Sequence, residues 1–288
     1  MARGGKVILV PFEAPASAST FRTAVVLHIY HADMAALLRR KCDNVPAPCD
    51  ILITTDAATK AEVISNAFSE WGGGSVDIKV VPNRGRDMLS KFVAFAHCLP
   101  RYDLALFLHS KKSLHLDHGL HDWSDVLIDA TAGSKEIVSS ILALFRAEPS
   151  LGLVFPDYYD RLRPLVHWGE NRRRAGLIAS RMGVSLRRAR ALEYPAGSMF
   201  WARPAALAPL LELNLRTEDF DLEAGQIDGT LAHTLERLIL FSAEKAGFRW
   251  LKTVTARCYR DRGNRVAVRP GVALDELIHA ATAHLLRA

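Results

Sequence analysis

Short apolar runs and helical stripes alternate along the first half of the chain. KVILV (6–10) reads as a strand, followed by the small-residue connector PASAST (15–20). AVVLHIY (24–30) is apolar and β-branched, and in ADMAALLRRK (32–41) Met34, Leu37 and Leu38 fall on one helical stripe. After a break at Pro46 and Pro48 come the strand DILITTD (50–56) and the helix KAEVISNAFSEW (60–71), which stops at Gly72–Gly74. A third unit consists of DIKVVP (77–82), the turn NRGRD (83–87) and a helix running to Cys98. The fourth strand is DLALFLH (103–109), apolar enough to be covered on both faces. The helix SKEIVSSILALFRAEP (134–149) and the strand LGLVF (151–155) continue the alternation.

The second half is less regular. GENRRRAGLIASRMG (169–183) predicts a helix, and PAGSMFWARP (195–204) a turn, a short strand and a proline opening a new helix. AGQIDGTLAHTLERLILFSAEKAG (224–247) carries Leu231, Leu235, Leu238 and Phe241 at helical spacing, and ALDELIHAATAHLLRA (273–288) forms another amphipathic helix. No internal repeat is present. Strands alternating with helices define an α/β fold with a mostly parallel, Rossmann-like central sheet. Residues 24–30, 50–56, 77–82 and 103–109 are expected as neighbouring strands, with helices on both faces. The expected organisation is an N-terminal strand and connector (1–21), a main domain (22–260) and a C-terminal helical extension (261–288).

Composition narrows the class. With 288 residues, 49% of them apolar, the chain can fill a large core. Four cysteines with no CxxC spacing argue against a disulfide scaffold and suit a reducing compartment. No apolar run nears the ~18 residues a membrane span needs, and Pro11 and Glu13 interrupt the N-terminal run before a signal-peptide core is complete. A cytoplasmic protein is expected, peripheral at most at the inner face of the cell membrane. The net charge of +6 permits an anionic ligand, an anionic membrane or nucleic acid. The tracts Arg172–Arg174 and Arg187, Arg188, Arg190 are not interleaved with aromatics and match no nucleic-acid-binding signature. Solvated surface, or contact with an anionic membrane or acceptor, is the favoured reading; nucleic acid is not.

Candidate chemistry gathers at the strand ends, where parallel α/β sheets bind ligands. His28 and Tyr30 end the first regular strand and Thr55 the second. Asn83, Arg84, Arg86 and Asp87 follow the third; His109, Lys111 and Lys112 follow the fourth. NRGRD is either a plain turn capped by Asp87 or a backbone-and-arginine phosphate site; it is neither a P-loop nor a GxGxxG turn. In HSKKS a lysine can neutralise a leaving phosphate while His109 donates a hydrogen bond. His109, His115, His118 and His121 fit no zinc spacing, and no metal is expected. Gly197, Ser198, Phe200 and Trp201 read either as a packed strand or as the floor of a sugar site. Among the carboxylates Glu218, Asp219, Asp221, Glu223 and Asp228, the last is expected to begin the buried stripe of a helix over 227–243, where a carboxylate needs a partner or a task. His233, Glu236 and Arg237 read as a helix-surface ion network.

Together these stretches resemble the rhamnan synthesis protein F family, associated with rhamnose-containing cell-surface polysaccharides. LHIYHADM (27–34), VPNRGRDM (81–88), YDLALFLHSKKSLH (102–115), LGLVFPD (151–157), HWGEN (167–171), YPAGSMFWARPAAL (194–207) and DFDLEAGQIDGTLAHTLERL (219–238) carry the resemblance, over roughly residues 22–260. It implies a glycosyltransferase A-like α/β domain that holds a nucleotide sugar, with dTDP-L-rhamnose as the sugar donor and a glycan or lipid-linked glycan as acceptor. Related metal-dependent folds end the strand corresponding to DLALFLH in an Asp-x-Asp that holds manganese. This chain has His109-Ser110-Lys111 there, so cationic side chains are expected in place of a metal, with no cofactor. The segment PAGSMFWARPAAL (195–207) resembles the lining of the sugar sites, with Trp168, Asn171 and His233 as further sugar or acceptor positions. The acidic stretch resembles the source of the catalytic base, with Asp228 and Glu223 as first candidates and Asp219 third. Direct displacement with inversion is the mechanism implied. Two other classes fit the same residues: a noncatalytic carbohydrate-binding or scaffold protein, and a phosphate-ester hydrolase.

Overall fold

The computed structural model describes residues 6–14, 21–110, 123–158, 160–187, 191–223, 225–226, 228–256, 264–269, 271–283 and 285. The elements in chain order are β1 (Val7–Val10), β2 (Thr23–His28), α1 (Ala35–Cys42), β3 (Cys49–Thr55), α2 (Ala58–Phe68), β4 (Val76–Val80), α3 (Arg86–Leu89), β5 (Leu104–His109), α4 (Trp123–Ala132) and α5 (Lys135–Ala147). There follow β6 (Leu151–Pro156), α6 (Arg172–Arg181), β7 (Phe200–Ala202), α7 (Ala208–Leu211), α8 (Leu231–Lys245), β8 (Arg249–Thr255), β9 (Arg265–Val266) and α9 (Leu274–Thr282).

These strands form one sheet in the order β4-β3-β2-β5-β7-β6-β8-β1-β9. The four expected neighbours do lie side by side and parallel. β7 runs antiparallel between β5 and β6, which brings its first residues to the carboxyl ends of the parallel strands. β1 pairs in parallel with β8 and with β9.

Period-two alternation divides the core between two layers. Val25, Leu27, Leu106, Leu108 and Trp201 face the side covered by α1, α2, α4, α5 and α9. Val26, Ala105, Phe107 and Phe200 face α3, α6, α7 and α8. All six residues of β5 are buried, as its continuous apolarity requires. The chain runs outward from β2 to β4, then returns to start β5 on the other side of β2. That reversal opens a crevice beyond the ends of β2 and β5, where His28 and His109 are register partners.

Candidate functional site

A cleft of about 1000 Å³ occupies this crevice. It is large enough for a ligand with several rings and phosphates. Its floor comes from the strand ends (His28, Tyr30, His109), one wall from the turn after β4 (Asn83, Arg86, Asp87), and the opposite wall from Gly197 and Ser198. Glu223, Asp228 and His233 close the far side.

Two dipeptides with unusual backbone conformations meet here. Gly85 and Arg86 have φ of 69° and 52°, Gly197 and Ser198 φ of 88° and 57°. Among the described residues just three non-glycines have positive φ, and two of them, Arg86 and Ser198, line the cleft. Such strain persists where surrounding contacts over-determine it, and it clusters at functional sites. At Gly197 the contacts are visible: its carbonyl accepts from His109 Nε2 at 2.8 Å, and its N–H donates to Glu236 Oε1 at 2.8 Å. A Cβ there would lie 2.4 Å from Leu127 Cδ1, so the position also demands glycine for space.

Arg86 lies across the cleft. Its Nε approaches Glu223 Oε2 at 3.4 Å and its Nη1 donates to His233 Nε2 at 2.9 Å. The guanidinium can only donate, so His233 Nε2 accepts and Nδ1 carries the hydrogen toward Thr230 Oγ1, 2.8 Å away. Burial, and then the adjacent Arg86 charge, lower its pKa to about 4, which keeps that tautomer neutral at pH 7. The other Glu223 oxygen, Oε1, is buried with no hydrogen-bond partner among the described residues.

Asp228 is placed differently from the sequence expectation. α8 starts at Leu231, with Thr230 as its cap and Asp221 Oδ2 accepting the Leu231 N–H at 2.7 Å, so Asp228 lies in the preceding loop. Its Oδ1 accepts from Asn171 Nδ2 at 2.6 Å and its Oδ2 from the Glu170 N–H at 3.2 Å, with Arg237 Nη2 3.6 Å away. Burial acts to raise its pKa, but the Asn171 and backbone hydrogen bonds hold it below the usual range. Asn171 is fully buried and acts from behind Asp228, outside the cleft lining.

Beneath the floor, Asp87 pairs with Lys91, which is almost fully buried. Burial opposes the charge on Asp87, yet Lys91 and His109 keep its carboxyl well below the usual range. Asp87 is therefore committed to an internal ion pair as well as to the cleft surface.

Other expected site residues fall elsewhere. Phe200 and Trp201 are fully buried: Phe200 packs on Phe107 at 4.8 Å, and Trp201 Nε1 donates to the Thr131 carbonyl at 2.9 Å on the other face. Neither forms a sugar floor, because strand alternation points one into each core layer. Thr55 is buried and donates to the Ile29 carbonyl at 2.8 Å. Arg84 bridges Leu222 through the backbone and does not line the cleft. Asp219 accepts the Arg216 N–H at 2.7 Å, a local cap away from the cleft. Trp168 packs on Phe241 at 5.9 Å, behind the wall. Lys111 and Lys112 lie outside the described residues. His31 and Ser110, which end the first and fourth regular strands, line the cleft as the strand-end pattern predicts; Tyr194, Glu236 and Arg237 line it without having been singled out for the site by the sequence. For Glu236 and Arg237 the signal was available: His233, Glu236 and Arg237 share one turn of the helix whose apolar stripe faces the core.

His28 is buried at the carboxyl end of β2, with Nδ1 2.9 Å from Thr54 Oγ1. Burial dominates and lowers its pKa to about 4. A depressed histidine leaves the unfolded chain with more bound protons between pH 6.5 and 4, so stability falls as pH falls through that window. The expected loss from His28 alone is on the order of 3 kcal/mol. Unfolding midpoints of the parent and of His28→Asn between pH 7 and 4 check this: the variant should show the shallower decline, and equal slopes would exclude His28 as the source.

The fold and cleft define an α/β protein with an open crevice at the reversal point of a largely parallel sheet. Residues 8–248 match the sequence profile of rhamnan synthesis protein F, and the chain belongs to that family. It is similar to the uncharacterized protein WxcX of Xanthomonas campestris pv. campestris in strains B100 and ATCC 33913, each 35% identical over 228 residues. The matched region is 78% of this chain and 32% of each relative, so the chain spans about a third of their length.

Proposed function

We propose that the protein is a glycosyltransferase of the A-like fold type that moves a sugar, L-rhamnose, from a nucleoside diphosphate donor to a hydroxyl of a glycan or lipid-linked glycan. The family's link to rhamnan synthesis supports the sugar, and the cleft at the sheet reversal supports a nucleotide-bearing ligand. One observation carries the reaction type: a half-exposed arginine on a strained backbone, Arg86, stands beside a carboxylate, Glu223, that has one oxygen unpartnered among the described residues.

In this reading Arg86 receives the diphosphate and the carboxylate of Glu223, a cleft-lining residue, accepts the proton of the acceptor hydroxyl. The acceptor oxygen forms its bond to the anomeric carbon as the bond to the diphosphate breaks. The electron pair leaves on the nucleoside diphosphate, and the centre inverts. Neutral His233 steers Arg86 without adding charge. Asp228, already filled by hydrogen bonds, anchors the loop that carries it. Gly197 and Ser198 form the wall beside the sugar, with the Gly197 backbone held from both sides by His109 and Glu236.

A thermal-unfolding scan of nucleotide sugars tests the reading. dTDP-L-rhamnose is expected to raise the unfolding midpoint, and Arg86→Ala to weaken its binding by ~10-fold or more, the cost of losing a hydrogen bond to a charged group. Stabilisation by glycans alone would instead indicate a carbohydrate-binding protein, and release of phosphate from simple esters without acceptor a hydrolase.

A further inference from the structure

The positive charge of this chain is concentrated in one segment. Residues 172–190 contain seven arginines and no acidic residue. Removing those seven from 37 basic residues leaves 30 against 31 acidic ones, so the whole net excess of +6 resides in this stretch and the remainder is close to neutral.

Its helical part among the described residues is α6. The buried side of this helix, Ala175, Ile178 and Ala179, packs into the core. Three arginines have assignments: Arg172 lies over the Trp168 ring at 5.3 Å, Arg174 pairs with Asp221, and Arg181 donates to the Leu213 carbonyl at 3.0 Å. Arg173 is exposed and has no ion pair or hydrogen bond among the described residues. Leu177, one turn further along the same ridge, is 65% exposed, with the small residues Gly176 and Ser180 beside it. The Arg174–Asp221 pair ties this helix to the segment bearing Leu222, which is 69% exposed, and the cleft residue Glu223.

We infer that the outer face of α6 docks on an anionic lipid bilayer. The Arg173 guanidinium meets the headgroups and Leu177 enters the boundary with the acyl chains, while Gly176 and Ser180 let the helix lie close. Charge complementarity selects a polyanionic surface, and the exposed leucine amid arginines selects one with an apolar layer beneath it. Because α6 adjoins the cleft through Asp221 and through Asn171, which holds Asp228, docking sets the mouth of the cleft near the bilayer. A lipid-linked acceptor would meet it there.

Vesicle co-sedimentation of the full chain tests this without any sugar donor, so its outcome is independent of the transfer reading. Vesicles of phosphatidylcholine with one third phosphatidylglycerol should bind the protein and release it as salt rises, and pure phosphatidylcholine should bind far less. Arg173→Glu and Leu177→Ser are each expected to reduce partitioning several-fold, and together by ~10-fold or more, with unfolding midpoints unchanged because both side chains are exposed. Three results would each overturn the inference: no binding to anionic vesicles, equal binding to neutral ones, or a double variant that binds like the parent. Concentration-dependent self-association lost in the double variant, with vesicle binding intact, would reassign the face to a contact between copies.

Discussion

Glu223→Gln is expected to lower turnover by ~10²–10⁴-fold with little change in affinity for the sugar donor, the signature of a lost general base. Asp228→Asn is expected to cost far less in the chemical step, about tenfold, and to act partly through stability. The two carboxylates differ in what already occupies their oxygens. Asp228 accepts from Asn171 and Glu170 and faces Arg237. A carboxylate so stabilised as an anion has a lowered proton affinity and is a poor base. Glu223 has a weak 3.4 Å contact with Arg86 on one oxygen and no partner among the described residues on the other. Replacing the carboxylate by an amide removes the proton acceptor while keeping the shape. Single-turnover rates of both variants with a nucleotide sugar and a matched acceptor check the ordering. Greater damage from Asp228→Asn than from Glu223→Gln, in proteins of equal stability, would return the base to Asp228.

The same contrast shows what the sequence could and could not convey. Strand identity was legible because β2, β3 and β5 are near-continuous apolar runs bounded by turns, and a strand buried on both faces permits little else. β8 escapes the apolar pattern: Arg249, Lys252 and two threonines break its run, although Lys252 is buried in an ion pair with Glu193. The location of the cleft followed from polar residues at several strand ends, since parallel topology brings those ends together whatever the loops do. What lines the cleft was less legible. Phe200 and Trp201 read as sugar-facing because aromatics suit both cores and sugar sites, and only the pairing of β7 with β5 and β6 assigns them to the core layers. Asp228 reads as helical because the apolar stripe begins at Leu231, while the N-cap at Thr230 that makes the helix start later is a single hydroxyl. Glu236 was assigned to a surface network because its partner, the Gly197 N–H, is 39 residues away in sequence.

Lys91→Met is expected to destabilise the fold by about 3–5 kcal/mol, the cost of removing one member of a buried ion pair and leaving the other charge uncompensated. Lys91 is 1% exposed and Asp87 8%, and the two sit one helical turn apart beneath the cleft floor. The sequence offers Asp87 as a helix cap or a ligand contact and singles out no role for Lys91. Instead, a π-helical turn over Ser90–Ala94 follows α3 and carries Lys91 inward under the end of β5. Methionine fills much of the same volume, so the loss reports the bare Asp87 carboxylate more than a cavity. Asp87→Asn combined with Lys91→Met removes both charges and should recover a large part of the stability, as expected for buried pairs replaced together. Denaturant unfolding of the two single variants and the double gives the coupling directly. A Lys91→Met protein within about 1 kcal/mol of the parent would mean that Asp87 reaches solvent through the cleft and needs no internal partner. If the large loss is seen, Asp87 anchors the start of α3, and with it the backbone that points Arg86 across the cleft toward Glu223.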